Sequence, residues 1–288
     1  MNLKFLSIPF FALLISCNSK QPDAHADADD KFLTEDITID TKYPASTEEL
    51  IFPSNGKKIF GFAYLANGKG PHATIILIHG LPGNERNLDM AQSFRRLGYN
   101  VFYFNYRGSW GSEGNYKYSN CLEDVKSVVD FITNPKNIEP LRIDTSKIIL
   151  IGHSLGGGLS LIAGMNDARV KRIVALSIFN PYQYATSDSA KADLKSLIEY
   201  IAPLSMLKCN ADTFVNEMVL EKDNYNIEEL LSKEKNKPIL VIDEHQHNQY
   251  IKKYLLNKNI EYEVWNTDHG FTNKRIALTK RIVKWLDK

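Results

Sequence analysis

The stretch that most limits what this chain can become is residues 147–158, KIILIGHSLGGG. Ile148, Ile149, Leu150 and Ile151 form an unbroken apolar run, which suits a parallel strand covered on both faces rather than one half exposed to water. The run stops at Gly152-His153-Ser154-Leu155-Gly156, and apolar residues then resume at helical spacing with Leu159, Leu161 and Ile162. Strand, G-x-S-x-G, helix is the setting that a nucleophile elbow demands. The turn is so tight that Ser154 must take a strained backbone conformation, which only small neighbours at Gly152 and Gly156 permit. Its hydroxyl then projects from the carboxyl edge of a sheet, at the positive end of a helix.

The chain has 288 residues, enough for one large α/β domain with a full core, and a formal net charge of +1. That balance gives no reason to expect nucleic acid or a strongly charged partner. The first residues stand apart. Lys4 is followed by an apolar run over 5–15, too short for an ordinary transmembrane helix. The run ends Leu14-Ile15-Ser16-Cys17, which resembles the lipobox of bacterial lipoproteins. That resemblance implies a signal, residues 1–17, cut before an acylated Cys17, and an exported protein anchored to a membrane of the bacterial envelope, the outer membrane by expectation. An ordinary secretory signal with an incidental cysteine is the alternative. Residues 18–31 are polar and acidic with Ala-Asp repeats, a composition expected of a disordered tether. Cys121 and Cys209 are the remaining cysteines, and two thiols so far apart in sequence are weak grounds for a bridge.

From 32 to 288 the pattern is that of one domain. Residues 49–52 and 58–65 read as strands around the turn Ser54-Asn55-Gly56. Residues 73–78 are a central strand that ends at His79-Gly80-Leu81-Pro82-Gly83. A helix carrying Leu88, Ala91, Phe94 and Leu97 follows, then a strand over 100–105. After the Gly- and Ser-rich loop 105–114 come an amphipathic helix over 121–132, residues 143–146 leading into the elbow strand, and a strand over 172–178. No strand returns over 179–236, which predicts a small helical cap rather than a structureless loop. Strands at 238–243 and 261–265, with helices over 249–257 and 274–287, restore the alternation. The fold class is therefore α/β, with a doubly wound, mainly parallel sheet of about eight strands.

His79-Gly80, Gly152-His153-Ser154-Leu155-Gly156 and Asp268-His269-Gly270-Phe271, in that order and spacing, resemble the α/β-hydrolase fold over nearly the whole chain after Phe32. The HGLPGN and NYRGSWGSEG segments are most similar to bacterial serine esterases related to the prolyl-oligopeptidase and dienelactone-hydrolase branches. The resemblance implies Ser154 as nucleophile and His269 as its base. His153 is set aside as base because the elbow points adjacent side chains in different directions, and Asp268 is expected to order its loop. The residue after the nucleophile, Leu155, offers one oxyanion N–H. The second must come from the loop after the third strand, where Pro82 has none to give and Leu81 has. Arg107 is expected to hold a loop by salt bridge rather than to meet an anionic substrate.

The triad acid is the weak point of the pattern. Relatives place it a few residues beyond the strand starting at Pro238, commonly after a glycine, and here the segment reads Ile239-Leu240-Val241-Ile242-Asp243-Glu244-His245-Gln246-His247. Asp243 is preferred, Glu244 is the close alternative and Asp188 a distant third. The spacing of His245 and His247 alone does not make a metal site, and neither a metal nor an organic cofactor is implied. The expected activity is cleavage of a small carboxylic ester, with peptidase or thioesterase action on the same machinery as alternatives. A non-catalytic binding lipoprotein that has lost its acid is the rival from another class, and a dehalogenase is disfavoured because its elbow needs a carboxylate. Leu204, Met206, Leu207, Phe214 and Met218 are candidates to roof an apolar acyl pocket, or else to form the cap's own core.

Overall fold

The computed structural model describes residues 30–288; the 1–17 signal with Cys17 and all but the end of the 18–31 tether lie outside the described residues. Helix α1 (Lys31–Thr34) belongs to an N-terminal unit, residues 1–35, and everything treated below lies in the second unit, residues 36–288.

Eight strands form one sheet: β1 (Ser46–Ser54), β2 (Lys57–Leu65), β3 (His72–Ile78), β4 (Asn100–Phe104), β5 (Ile143–His153), β6 (Val170–Leu176), β7 (Ile239–Asp243) and β8 (Ile260–Val264). Their order is β1-β2-β4-β3-β5-β6-β7-β8, antiparallel from β1 through β2 to β4 and parallel from there on. Ser54 pairs with Lys57 across a two-residue turn in which Asn55 (φ 44°) and Gly56 (φ 72°) are both left-handed. That geometry gives the hairpin the twist its strands require.

Central strands read as continuous apolar runs because both their faces are covered. On β3, Ile75 and Leu77 pack with α2 (Leu88–Arg96) and α10 (Arg275–Leu286), while Ile76 and Ile78 face the opposite layer. That layer holds α3 (Tyr118–Thr133), α5 (Leu155–Asn166) and the cap helices. On α3, Cys121, Val125, Val128, Val129 and Ile132 are buried at helical spacing, and the short α4 (Pro135–Ile138) begins at Pro135, where the missing N–H costs nothing. Cys121 is a free, buried thiol, and Cys209 is also free.

The 179–236 segment carries α6 (Pro181–Thr186), α7 (Ala190–Ile201), α8 (Ala211–Leu220) and α9 (Ile227–Lys233). Asn180, Asn210 and Asn226 cap α6, α8 and α9 by accepting backbone N–H bonds from Gln183, Thr213 and Glu229. Residues 143–146 run into the elbow strand in β5, through an irregularity in its pairing with β3. One expected element differs: the helix expected over 249–257 is a 3-10 turn, Gln249–Tyr254. Its Ile251 N–H bonds to Asn248 O, and the three-residue pitch puts buried Asn248 and Ile251 on one face.

Candidate active site

The elbow follows from sterics. Ser154 has φ 58° and ψ −120°, a conformation costly for a side chain and stable only where its surroundings dictate it. Its N–H donates to Leu176 O at 2.8 Å, tying the turn to β6, and its carbonyl accepts from Gly157, Gly158 and Phe179. A Cβ on Gly152 would lie 2.0 Å from Gly156 O, and one on Gly156 would lie 2.0 Å from Ile78 O. Both glycines are thus required by close backbone packing. The Ser154 hydroxyl does not cap α5; the side chain lines a cavity shared with His269.

His269 sits in the loop after β8, where Asp268 accepts the Thr272 N–H at 2.7 Å and so orders the turn. The imidazole Nδ1 is 2.6 Å from Glu244 Oε1. With Nδ1–H donating there, Nε2 is left as the basic nitrogen. Glu244 also accepts from the Ser177 hydroxyl. Burial pushes its carboxyl up, but the bonds from His269 and Ser177 outweigh that and hold it at about 2.

Asp243, the residue preferred from sequence, is engaged elsewhere. It is the last residue of β7, fully buried, and accepts the Ile178 N–H at 2.9 Å and the Asn248 side chain at 3.1 Å. Burial raises its carboxyl to about 7 despite those bonds. Successive side chains along a strand point to opposite faces, so Asp243 enters the core and Glu244, one step on, meets the imidazole. Asp188 is exposed between α6 and α7. Donor atoms of Asp243, Glu244 and His245 lie within 4.8 Å of one another, but both carboxylates are already committed to Ile178, Asn248, His269 and Ser177.

His153 has a use that the sequence did not reveal. Its Nε2–H donates to the His269 carbonyl at 2.7 Å, and burial, then the neighbouring His269, lowers its pKa to about 4. It is a neutral strut under the loop that carries His269. The only sequence signal was its place beside the elbow serine.

Leu81 and Leu155 both line the cavity with Ser154, and Leu155 is the first residue of α5. Gly80 lies against the serine: a Cβ there would come 2.8 Å from Ser154 Cβ. The loop bearing Leu81 is braced from outside the cavity. Tyr106 donates to His79 O at 2.9 Å, Trp110 donates to Pro82 O at 2.7 Å, and the Arg86 guanidinium lies 4.7 Å from the Trp110 ring centre. His79 is buried, bonds Gly80 O through Nδ1, and is lowered by burial to about 4. Arg107 is a loop anchor, 2.6 Å from both Asp124 and Glu123.

The cavity has a volume of about 980 Å³. Of the apolar cap residues considered as its roof, only Phe214 lines it, while Leu207 and Met218 are buried in the cap's core. Its cap wall is instead largely polar, from Gln183 to Tyr200.

Residues 63–257 match the BD-FAE family. Among curated proteins the chain is 29% identical to Uncharacterized protein YfhR of Salmonella typhi over 155 residues, 48% of this chain and 51% of that one. It thus spans about half the length of the curated relatives it matches. Among solved structures it is similar to Est1E from Butyrivibrio proteoclasticus (TM-score 0.58, 16% identity, 84% of this chain and 100% of that one). It is also similar to the Pyrococcus furiosus esterase Pf2001 (TM-score 0.61, 17% identity, 84% of this chain and 91% of that one). At those identities the likeness speaks for the fold alone, whereas the family match covers well over half of the chain and takes in both the elbow and Glu244. The protein therefore belongs to the BD-FAE family and is an α/β hydrolase.

Proposed function

We propose that the protein is a serine hydrolase that cleaves a carboxylic ester through an acyl-enzyme on Ser154. The observation that carries this reading is the 2.6 Å bond from His269 to Glu244, beside the cavity that Ser154 and His269 share. As the Ser154 oxygen attacks the carbonyl carbon, His269 Nε2 takes its proton and the Glu244 carboxylate stabilises the imidazolium. The oxyanion formed is held by the N–H groups of Leu81 and Leu155, each worth roughly 3 kcal/mol of barrier. Collapse expels the alcohol, which takes the proton from His269. Water, deprotonated by the same nitrogen, then attacks the acyl carbon and frees Ser154 and the acid product. These steps use the chain's own groups.

Ester cleavage is preferred to peptide or thioester cleavage because a protein of the same fold, Pf2001 of Pyrococcus furiosus, is an esterase. The non-catalytic reading rested on a missing acid, and Glu244 on His269 removes its support. The Leu14-Ile15-Ser16-Cys17 segment adds the proposal that the domain is exported and acylated at Cys17, checked by loss of palmitate incorporation in Cys17→Ser.

A fluorophosphonate probe tests the central step. The folded protein should take up one phosphonyl group on the Ser154 peptide and lose turnover of p-nitrophenyl acetate in step. A folded protein whose Ser154 stays unlabelled refutes the mechanism. A panel of p-nitrophenyl esters run beside aminoacyl amides decides between esterase and peptidase.

A further inference from the structure

Asp193, Ser196, Leu197 and Tyr200 fall at i, i+3, i+4 and i+7 on α7 and all line the cavity. At one end of this face the Tyr200 hydroxyl donates to Leu81 O at 3.3 Å, so it touches the loop assigned to the oxyanion. Asp193 lies seven residues earlier, about 10 Å along the helix axis. Ser189 and Ser187 donate to its Oδ2 at 2.6 and 3.4 Å, which orients the carboxylate, and among the described residues nothing donates to Oδ1 and no Lys or Arg pairs with it. Among the described lining residues Asp193 is the single carboxylate, and no Lys or Arg is present. The imidazoles of His245, His247 and His269 come from the loops after β7 and β8, across from the cap.

Aromatic faces accompany this charge. Tyr184 and Phe179 line the cavity with ring centres 4.6 Å apart, and Tyr200 is half exposed. Tyr184 is close enough to Asp193 that its hydroxyl is pushed up, by burial first and then by that carboxylate. A lone carboxylate without a cationic partner, beside the Tyr184 ring in a cavity, is the environment that a positively charged group stabilises. An anionic group brought to the same wall meets a like charge and no counter-ion.

The geometry points to a subsite on the cap wall for a cationic ammonium group of the substrate, several atoms from the scissile carbonyl, with Asp193 as its charge partner and Tyr184 as its aromatic wall. This rests on the esterase reading and names its substrate class: esters that carry an ammonium group at the end of a spacer, in preference to anionic ones. The two hydroxyls on Oδ2 also support the first turn of α7, but that duty leaves Oδ1 to a ligand.

The test uses the full chain and three p-nitrophenyl esters of one length: trimethylammonio-hexanoate, its uncharged tert-butyl isostere and the ω-carboxylate analogue. The wild type should show kcat/KM about tenfold higher for the cationic ester than for the isostere, with the anionic ester lowest and the spread shrinking in salt. In Asp193→Asn the cation-to-isostere ratio should fall to about one. Equal rates for cation and isostere in the wild type, or a ratio that survives Asp193→Asn, overturn the subsite. Binding of hexyltrimethylammonium, followed by calorimetry, settles it without chemistry: binding weakened about tenfold in Asp193→Asn supports it, and equal or absent binding contradicts it. If no ester turns over while that ion still binds through Asp193, the Ser154 mechanism fails and the subsite stands.

Discussion

The turns after β5 and β7 serve one cavity but are built by different physics. After β5 the main chain decides the outcome: Gly152 and Gly156 sit where a Cβ would strike carbonyl oxygens at 2.0 Å, and Ser154 is forced to φ 58°. After β7 side-chain partners decide. Asp243 and Glu244 are adjacent carboxylates that the pleat sends to opposite sides. One becomes a structural acceptor for Ile178 and Asn248 near pKa 7, the other a partner of His269 near 2. Steric sites of the first kind leave a spelled motif, while sites of the second kind leave only a composition.

The contrast can be broken in order of effect size. Ser154→Ala should lower kcat by about 10⁵-fold or more with the fold kept, since the triad acts as a unit; near-normal turnover would place the nucleophile elsewhere. Gly156→Ala should destabilise by roughly 3 kcal/mol, read from urea unfolding, because backbone cannot yield to a 2.0 Å contact. Gly270→Ala, whose nearest new contact is 3.5 Å, should stay within about 1 kcal/mol, and similar losses at both would deny the elbow its steric origin. His153→Phe, which removes the strut under His269, should cost about tenfold in kcat with little change in KM.

The smallest effect is a slope. Asp243 has a folded pKa of about 7, above its ordinary 3.8, so the native state keeps a proton that the unfolded chain has released. Its contribution is complete below 3.8 and is lost as pH rises through 7. Glu244, held at about 2 against an ordinary 4.5, acts in the opposite sense, complete above 4.5 and lost as pH falls toward 2. Unfolding midpoints of Asp243→Asn should therefore lose the decline between pH 4 and 7 and keep the acid limb. An unchanged upper slope would mean that Asp243 is ionised throughout.

The same division explains what the sequence made legible. The apolar runs of β3, β5 and β7 and the Asn55-Gly56 turn announce themselves because strand burial and left-handed turns restrict residue type. The gathering of Ser154, Leu155 and His269 around one cavity follows from motif and order. The position of Glu244, the strut role of His153 and the 3-10 turn at Gln249–Tyr254 depend on partners such as Ser177, the His269 carbonyl and Asn248, which are far apart in sequence or fixed only by packing. The polar cap wall was hidden likewise, since Phe214, Leu207 and Met218 look the same in sequence whether they face a ligand or one another.

The division of labour between neighbouring carboxylates is tested most directly by kcat on p-nitrophenyl acetate for Glu244→Gln beside Asp243→Asn. A loss of about 10²- to 10⁴-fold is expected for Glu244→Gln and only a few-fold for Asp243→Asn, whose amide still offers an acceptor to Ile178. A greater loss at Asp243 than at Glu244 would contradict it.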